Sequence, residues 1–323
     1  MEVSGACNLR CRMCLVRYSP AIGKKEGALS FEQFLELVDG LPALRKLTLQ
    51  GLGEPLLSPH LLPMVEYASR RGIEVGFNTN GTLLTRAVAE RLVEIGCGWL
   101  HVSLDGATAG TYEDVRHGTD MRPHPGQFER VVTNLRGLVE ARGRAARPRI
   151  QIVFVAMRRN VAELPQLVTL ASDIGVDSVW VQNLSHDFGD TEPGGAYAAM
   201  RQYAAEEAVF DREPGAAAGF FERAAARADR LGLELRLPRL EHAERGDGRG
   251  CGWPWESAYV THRGDVQPCC MVMGSDRATM GHLGESSFAR IWEADAYRSF
   301  RAALLSPEPP AVCRGCSLYR RVF

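Results

Sequence analysis

The residues best suited to chemistry in this 323-residue chain are its cysteines, which form two groups near the two ends of the sequence. Eight of the nine cysteines belong to these groups, and the ninth is Cys97. In a reducing compartment, grouped cysteines bind metal more often than they form disulfides. The two groups therefore predict two metal centres, whereas Cys97, between a predicted helix and a predicted strand, is interpreted as a core residue.

The first group lies in the sequence CNLRCRMC and consists of Cys7, Cys11 and Cys14. Three thiolates at this spacing can hold a [4Fe–4S] cluster, which normally takes four protein thiolates. The fourth iron then has an open coordination position, where a small molecule can bind. A zinc site or a disulfide is the simpler alternative, but zinc usually takes four protein ligands and no histidine lies nearby to supply one.

The second group begins with Cys251 and Cys269, which stand in the pattern Cys-x12-Gly-x4-Cys. Cys313 and Cys316 follow as Cys-x2-Cys, so four thiolates can hold a second [4Fe–4S] cluster with no open iron, and a zinc ribbon is the alternative. Cys270 points away from Cys269 if the chain is extended there. We interpret Cys270 as a buried small residue, with hydrogen-atom donation to a substrate radical as the alternative.

The elements that position these groups follow a βα pattern. Apolar β-branched runs alternate with segments of helical period, which is typical of a parallel sheet covered by helices. The predicted strands are residues 2–5, 45–50, 73–78, 99–104, 149–156 and 178–183. Six such units with right-handed crossovers predict an α/β fold, a partial (β/α)6 TIM-like barrel with its active residues at the C-terminal ends of the strands.

Composition divides the chain into three predicted parts. These are a partial barrel over residues 1–194, a helical segment and linker over 195–250, and a small Cys-rich domain over 251–323. The boundaries depend on a polar, Gly-rich loop at 184–194 and on the sequence EHAERGDGRG at 241–250, which has the composition of a linker.

Charge and hydropathy exclude several classes of function. The formal net charge of −1 gives no general attraction to nucleic acid or to anionic lipid. No run approaches the roughly 20 apolar residues of a membrane-spanning helix, and residues 1–14 lack the features of a secretory signal. The sequence therefore predicts a cytoplasmic protein without a nucleic-acid or membrane partner.

The Cys-x3-Cys-x2-Cys loop after the first predicted strand resembles the signature of the radical S-adenosylmethionine (SAM) superfamily. The resemblance implies that the open iron binds the amino and carboxylate groups of SAM, and that Met13 packs near its adenine. Reductive cleavage of SAM would then release a 5′-deoxyadenosyl radical that abstracts hydrogen from a substrate. The second group resembles the auxiliary-cluster module called SPASM, or its shortened twitch form. Full SPASM modules continue with further cysteines, so only one auxiliary cluster is expected here.

Two polar turns are expected to bind SAM because they follow predicted strands, as the resemblance requires. In the sequence GLGEP, Gly53 permits close backbone approach and Glu54 can accept a hydrogen bond from the methionine ammonium group. Asn80 lies in the polar turn after the next strand. The alternative in both places is a turn with a purely structural role.

The fourth predicted strand adds Ser103 and Asp105, which are two residues apart and share one face. This pair can bind ribose hydroxyls, or Asp105 can simply belong to a turn. Arg116 resembles an arginine that pairs with the carboxylate of SAM in related proteins. A solvated surface arginine is the alternative.

Substrate-binding candidates follow the fifth and sixth predicted strands. They are Arg158, Arg159, Gln182, Asn183, His186 and Asp187. Two adjacent arginines can bind a carboxylate or phosphate, and a histidine can remove a hydroxyl proton near neutral pH. We take Arg158, His186 and Asp187 as the catalytic candidates.

The resemblance predicts a radical SAM oxidoreductase with two [4Fe–4S] clusters. A small sugar or aminocyclitol, an intermediate of natural-product (antibiotic) biosynthesis, would be oxidised at a carbinol with the auxiliary cluster as electron acceptor. Flavodoxin or ferredoxin would supply electrons. The alternatives are decarboxylation or epimerisation of a sugar or nucleoside precursor, maturation of a ribosomal peptide, and a non-enzymatic iron–sulfur electron carrier.

Overall fold

A parallel six-stranded sheet forms the centre of the molecule, with the strands in sequence order. The computed structural model describes residues 1–18, 27–210, 214–241 and 251–323. The strands are β1 (Lys46–Leu49), β2 (Glu74–Thr79), β3 (Trp99–Ser103), β4 (Arg149–Val155), β5 (Ser178–Gln182) and β6 (Glu234–Arg236). Every neighbouring pair is parallel, so the predicted α/β partial barrel is confirmed.

Helices connect and cover the strands. They are α1 (Phe31–Asp39), α2 (Leu61–Arg70), α3 (Arg86–Glu94), α4 (Ala109–Val115), α5 (Gln127–Arg142), α6 (Leu164–Ile174), α7 (Ala198–Glu207) and α8 (Pro214–Leu231). Helix α1 begins with a reciprocal capping box between Ser30 and Gln33. Apolar faces of the helices and strands meet in one continuous core, which includes the fully buried Cys97.

The first and last strands differ from the prediction. The prediction of a sheet strand at residues 2–5 is wrong. Among the described residues, this segment forms an isolated antiparallel bridge between Ser4 and Ala28 and does not belong to the six-stranded sheet. Just before them, the main chain of Met1 exchanges hydrogen bonds with Thr48 and Gln50. The sixth strand is instead β6, which the sequence hides because its three residues include two charged, exposed ones.

Residues 251–323 form a smaller region rich in turns. Its elements are α9 (Trp253–Glu256), β7 (Tyr259–Val260), β8 (Asp265–Gln267), β9 (Gly281–His282), α10 (Phe288–Trp292), α11 (Asp295–Leu304) and α12 (Ala311–Arg314). Strands β7, β8 and β9 form an antiparallel sheet. Gly264 has φ +94° in the turn of the β7–β8 hairpin, a left-handed conformation that favours glycine.

The smaller region packs against the barrel. The backbone nitrogen of Glu2 donates to Val260 at 2.8 Å, and the Asn183 side chain donates to the carbonyls of Arg239 and Val322. The domain boundaries remain predictions, and residues 242–250 of the predicted linker lie outside the described residues. Within the described ranges, no helix combines the length and the apolar character that a membrane span requires.

Candidate functional site

The first cysteine group lies in a loop that is fixed against the residues after α4. The backbone nitrogens of Arg10 and Arg12 donate to the carbonyls of His117 and Val115 at 2.8 and 3.0 Å. Leu9 pairs with Gly118 in an isolated bridge. All nine cysteines of the chain are free thiols, so the disulfide alternative does not hold.

The three thiols of this loop lie close enough together to influence one another. Burial, with a contribution from the neighbouring Cys14 thiol, raises the pKa of Cys7 to about 11 and that of Cys11 to about 12, while Arg116 opposes both shifts. Bound iron would favour the thiolate forms, because a coordinating thiol loses its proton. The donor set therefore fits a cluster held by three thiolates.

The GLGEP loop brings Glu54 to the same end of the barrel. Glu54 is 2% exposed, and its carboxylate accepts hydrogen bonds from Thr79 Oγ1 and from the Asn80 backbone nitrogen, both at 2.7 Å. Burial raises the pKa of Glu54, and these hydrogen bonds oppose that shift. Gly53 is required here, since a Cβ atom would lie 2.1 Å from the Ser4 carbonyl oxygen.

Asn80 connects the cysteine loop to the end of β2. Its Nδ2 donates to Asn8 Oδ1 at 2.8 Å and lies 3.9 Å from Cys7 Sγ, while its Oδ1 accepts from Thr82 Oγ1 at 2.7 Å. Asn8 also donates to Thr82 at 2.8 Å. Sequence reasoning missed Asn8 and Thr82, although both belong to the short polar sequences that carry the predicted residues.

Asp105 and Arg116 form a buried ion pair. The Asp105 carboxylate accepts from Arg116 Nε at 2.8 Å and from the Val155 backbone nitrogen at 2.8 Å, and Arg116 NH1 lies 3.8 Å from Cys11 Sγ. Sequence reasoning gave the two residues separate contacts with SAM. Those contacts remain predictions, but the structure directs the polar atoms of the pair toward each other and toward the cysteine loop.

Two further predicted SAM contacts are Ser103 and Met13. The Ser103 hydroxyl is half-buried and, among the described residues, has no hydrogen-bond partner. Met13 is partly buried and packs against an apolar cluster that includes Val115, Met157 and Leu184. Their roles at the ribose and adenine stay predictions.

Arg158 and its neighbour lie on the outside of the barrel mouth. Arg158 is exposed, and its backbone nitrogen donates to the Glu207 carbonyl at 2.9 Å. Arg159 binds the carboxylates of Asp114 and Glu207. The structure therefore gives no support to a catalytic role for Arg158, which remains a prediction.

His186 and Asp187 lie against the second cysteine group. His186 Nε2 is 2.6 Å from the Val312 carbonyl oxygen, and its Nδ1 accepts from the Phe188 backbone nitrogen at 2.7 Å. Burial, followed by the nearby Arg277, lowers the pKa of His186 to about 4. Asp187 binds Arg320 at 2.7 Å. Neither side chain lines the interior cavity, so the geometry does not support their catalytic assignment.

A cavity of about 520 Å³ occupies the interior of the partial barrel. Its polar lining includes Gln50, Asn78, His101, Gln151 and Gln182, together with the charged residues Lys46, Glu74 and Arg149 at the N-terminal ends of their strands. Among the substrate candidates, Gln182 is the residue that the structure brings to this cavity. Sequence reasoning missed the other polar residues of the cavity wall. The signal that could have found them is a polar residue at alternate positions of an otherwise apolar strand, because such positions face the interior of a barrel.

His101 stands between two tryptophans on this inner face. Its ring centroid is 4.3 Å from Trp99 and 4.7 Å from Trp180. Nε2 is 2.5 Å from Gln151 Oε1. Burial lowers the pKa of His101 to about 4; the hydrogen bond with Gln151 opposes this shift, and the cations of Lys46 and Arg236 contribute to it. The imidazole is therefore neutral at neutral pH.

The second cysteine group shares one apolar cluster. The cluster contains Met271, Leu304 and Tyr319 together with Cys251, Cys269, Cys270, Cys313 and Cys316. Burial, followed by the neighbouring Cys316 and Cys251 thiols, raises the pKa of Cys313 to about 12, and Arg277 opposes this shift. The four predicted ligands therefore lie in one cluster of packed side chains, and their role as ligands of a second iron–sulfur cluster stays a prediction.

Cys270 differs from its neighbour in what it faces. It is only partly buried, and it lines the interior cavity beside Met271. The wall of the cavity is therefore shared between the barrel and residues 251–323. The interpretation of Cys270 as a simple buried residue does not account for this position.

Comparison with family models identifies both cysteine regions. A model described as the radical SAM superfamily matches residues 1–169. A model described as the iron–sulfur cluster-binding domain SPASM matches residues 251–317.

Several characterised proteins are similar in sequence. The cofactor-modifying protein of tungsten-containing aldehyde ferredoxin oxidoreductase from Pyrococcus furiosus is 26% identical over 340 residues, which covers 98% of this chain and 86% of that protein. An AdoMet-dependent heme synthase from Methanosarcina barkeri is 28% identical, covering 93% and 83%. The mycofactocin maturase MftC of Mycobacterium tuberculosis is 37% identical over 176 residues, covering 54% of this chain and 41% of the maturase.

Solved structures share the fold. Streptococcus suis SuiB bound to its precursor peptide SuiA superposes with a TM-score of 0.70 at 15% identity, covering 99% of this chain and 69% of SuiB. The enzyme anSMEcpe with AdoMet and a peptide gives 0.67 at 15% identity, covering 99% and 85%. BtrN in complex with AdoMet and 2-DOIA gives 0.52 at 18% identity, covering 94% and 84%.

Proposed function

Because the chain belongs to the radical SAM superfamily and carries a C-terminal SPASM domain, we propose that it oxidises a carbinol of a small sugar or aminocyclitol in its interior cavity. The position of that cavity carries the proposal. Its lining includes Gly51 and Leu52 of the GLGEP loop on one side and Cys270 and Met271 of the SPASM domain on the other. A substrate in this space would lie between the two cysteine groups.

The proposed reaction removes two electrons and two protons from the substrate. When bound, SAM and the first cluster would supply a 5′-deoxyadenosyl radical after one electron arrives from a donor such as flavodoxin or ferredoxin. The substrate would give up its carbinol hydrogen atom to that radical and its hydroxyl proton to a base or water in the cavity. The auxiliary cluster, held by Cys251, Cys269, Cys313 and Cys316, would supply the acceptor for the second electron, and a carbonyl product would remain.

The chain's own residues have three tasks in this proposal. Cys7, Cys11 and Cys14 would hold the first [4Fe–4S] cluster. Glu54 would accept a hydrogen bond from the methionine ammonium group, and Ser103 would bind a ribose hydroxyl. The auxiliary cluster would take the four thiolates of Cys251, Cys269, Cys313 and Cys316.

His101 would orient the substrate. Gln151 Nε2 donates to Ser178 Oγ at 2.9 Å, so the Gln151 oxygen faces His101 and accepts from its Nε2. This arrangement fixes the imidazole with its proton on Nε2 and leaves Nδ1 as an acceptor. A neutral imidazole at the cavity wall is suited to accept a hydrogen bond from a substrate hydroxyl.

The test uses the anaerobically reconstituted enzyme with dithionite and a panel of cyclitols and amino sugars deuterated at single carbinol carbons. We expect deuterium in 5′-deoxyadenosine together with an equal amount of carbonyl product. Release of carbon dioxide would show that the reaction is a decarboxylation instead. Incorporation of solvent hydrogen at a carbon whose configuration has been inverted would show that it is an epimerisation. No formation of 5′-deoxyadenosine under any condition would contradict the radical mechanism itself.

A second cavity supports peptide maturation as the other candidate function. It measures about 860 Å³, shares Gln50, Tyr259 and Cys270 with the interior cavity, and has an apolar lining that includes Phe288 and Trp292. Such a space suits a substrate with apolar side chains, and SuiB and anSMEcpe were solved with peptides. Incubation with a peptide library would reveal this function as substrate-dependent loss of two hydrogen masses.

A further inference from the structure

Arg277 is a buried cation beside the second cysteine group. Its side chain is 3% exposed and forms an ion pair with Asp190 at 2.6 Å. The guanidinium carbon lies 4.9 Å from the ring centre of Phe188 and 5.7 Å from that of Tyr197. Nothing in the proposed reaction so far uses this charge.

Hydrogen bonds and contacts place the guanidinium between the segments that carry the ligands. Arg277 NH1 donates to the Val272 carbonyl at 2.8 Å, three residues after Cys269. Arg277 NH2 lies 3.0 Å from His186 Nε2, and His186 pairs with Cys316 in an isolated bridge. His186 also contacts the carbonyl of Val312, the residue before Cys313.

The guanidinium lies between its carboxylate partner and the segments that carry the ligands. Among the described residues, the Asp190 carboxylate accepts its side-chain hydrogen bonds from Arg277, whereas Arg277 itself also reaches the Val272 carbonyl and the His186 ring. The positive end of the ion pair therefore faces the ligand-bearing segments. Asp187 is compensated by its own partner, Arg320.

We propose that Arg277 raises the reduction potential of the auxiliary cluster and so makes it an acceptor for the substrate's electron. A four-thiolate [4Fe–4S] cluster gains one negative charge on reduction, and a nearby buried cation stabilises the more negative form. Arg277 is thus a positioning residue that acts through the cluster. The inference rests on the proposed function, which supplies the second cluster.

The experiment is a redox titration of the reconstituted holoenzyme, followed by electron paramagnetic resonance of the auxiliary cluster. Arg277→Gln removes the cation and leaves Asp190, so the potential should fall. Asp190→Asn removes the anion and leaves Arg277, so it should rise. Each change is expected to alter the ratio of oxidised to reduced cluster at the wild-type midpoint about tenfold, which is about 59 mV for a one-electron couple.

Opposite shifts of the reduction potential in the two variants indicate an electrostatic effect. Loosened packing would shift the potential of both variants in the same direction. Arg277→Lys keeps the charge and should shift the potential less than Arg277→Gln. Arg298→Gln removes an exposed arginine on α11 and should leave it unchanged. If Arg277→Gln loses iron, the comparison of Asp190→Asn with wild type still decides the sign.

Three results distinguish this inference from the proposed function. If the reduction potentials of Arg277→Gln and Asp190→Asn shift in the same direction, or do not shift although both variants hold their full iron, the role of Arg277 is overturned and the proposed function is not affected. A wild-type enzyme that holds only the first cluster overturns both proposals. The expected shifts in an enzyme that oxidises no carbinol support the role of Arg277 and reject the carbinol reaction.

Discussion

The two cysteine groups share one type of ligand but have different surroundings. The first lies in a loop tied by polar contacts to the barrel, with Asn80 reaching Cys7 and Arg116 reaching Cys11. The second lies in an apolar cluster with Met271 and Tyr319. The difference teaches that like thiols can have unlike surroundings: polar contacts at the first group suit the binding of a polar cofactor, and the apolar cluster at the second suits the electron-storing role that we propose for it.

The largest difference between the two cysteine groups is expected when the cysteines of each group are replaced in turn. Replacing Cys7, Cys11 and Cys14 with alanine should abolish reductive SAM cleavage, measured as 5′-deoxyadenosine. Replacing Cys313 and Cys316 should spare cleavage but block turnover, because only the electron acceptor is lost. Wild type should bind about eight irons and each variant about four, since a [4Fe–4S] cluster holds four. Retained SAM cleavage in the first variant would refute the assignment of the two roles.

The buried pair beside the first group offers the next largest effect. Arg116→Met leaves the fully buried Asp105 carboxylate without its cation and should lower the free energy of unfolding by about 3–5 kcal/mol. Urea denaturation measures this change. The double variant Arg116→Met/Asp105→Asn should recover part of the loss, whereas equal losses in both variants would mean that charge compensation does not hold this region together.

Acidification tests two histidines with lowered pKa values: His101, on the wall of the interior cavity, and His186, beside the second cysteine group. The folded pKa values of His101 and His186, about 4, lie below the unfolded value near 6.5. The unfolded chain therefore binds more protons, and stability falls as the pH drops from 6.5 toward 4. His101→Gln should reduce the loss of unfolding free energy between pH 6.5 and pH 5 by about 2 kcal/mol.

Arg277→Gln sharpens the acidification test, because it removes the cation beside His186 alone. It should raise the folded pKa of His186 and leave that of His101 unchanged. Urea midpoints at the two pH values measure both variants. An acid-induced loss in His101→Gln as large as that of wild type would show that His101 titrates normally.

The smallest expected effect concerns the polar ties of the first loop. Asn80→Ala removes the hydrogen bonds to Asn8 and Thr82 and should lower the unfolding free energy by about 1–2 kcal/mol. It should also speed iron loss from the first cluster to a chelator, while the second cluster keeps its rate. Asn134→Ala, which removes contacts with the carbonyls of Gly81 and Thr82, is the matched control. Equal rates of iron loss in the two variants would deny Asn80 a special role.

Local patterns made the cysteine groups and most strands predictable. Ligand spacing is a property of a few consecutive residues, and the buried strands β1–β5 are apolar enough to stand out. Strand β6 escaped because Glu234 and Arg236 are exposed at the edge of the sheet. An edge strand needs little apolar character, and its pairing depends on a neighbour far away in sequence.

The contacts within the site were less predictable because they join distant segments. The Asp105–Arg116 pair and the Asn8–Asn80 hydrogen bond depend on how loops meet in space. His186 illustrates the same limit: its sequence position suggested the barrel mouth, but the fold turns it toward Cys316. Residue type identified groups capable of chemistry, whereas their partners depended on the tertiary fold.

The shared wall of the interior cavity has a consequence for how this scaffold diversifies. Trp253, Tyr259 and Cys270 face the same space as Gln50 and Gln182, although they belong to the domain that carries the other ligands. In the proposed function, substitutions in the segment 253–273 would change which molecule is accepted without altering the loop of Cys7, Cys11 and Cys14. Exchange of that segment between homologues would then be a direct way to transfer selectivity.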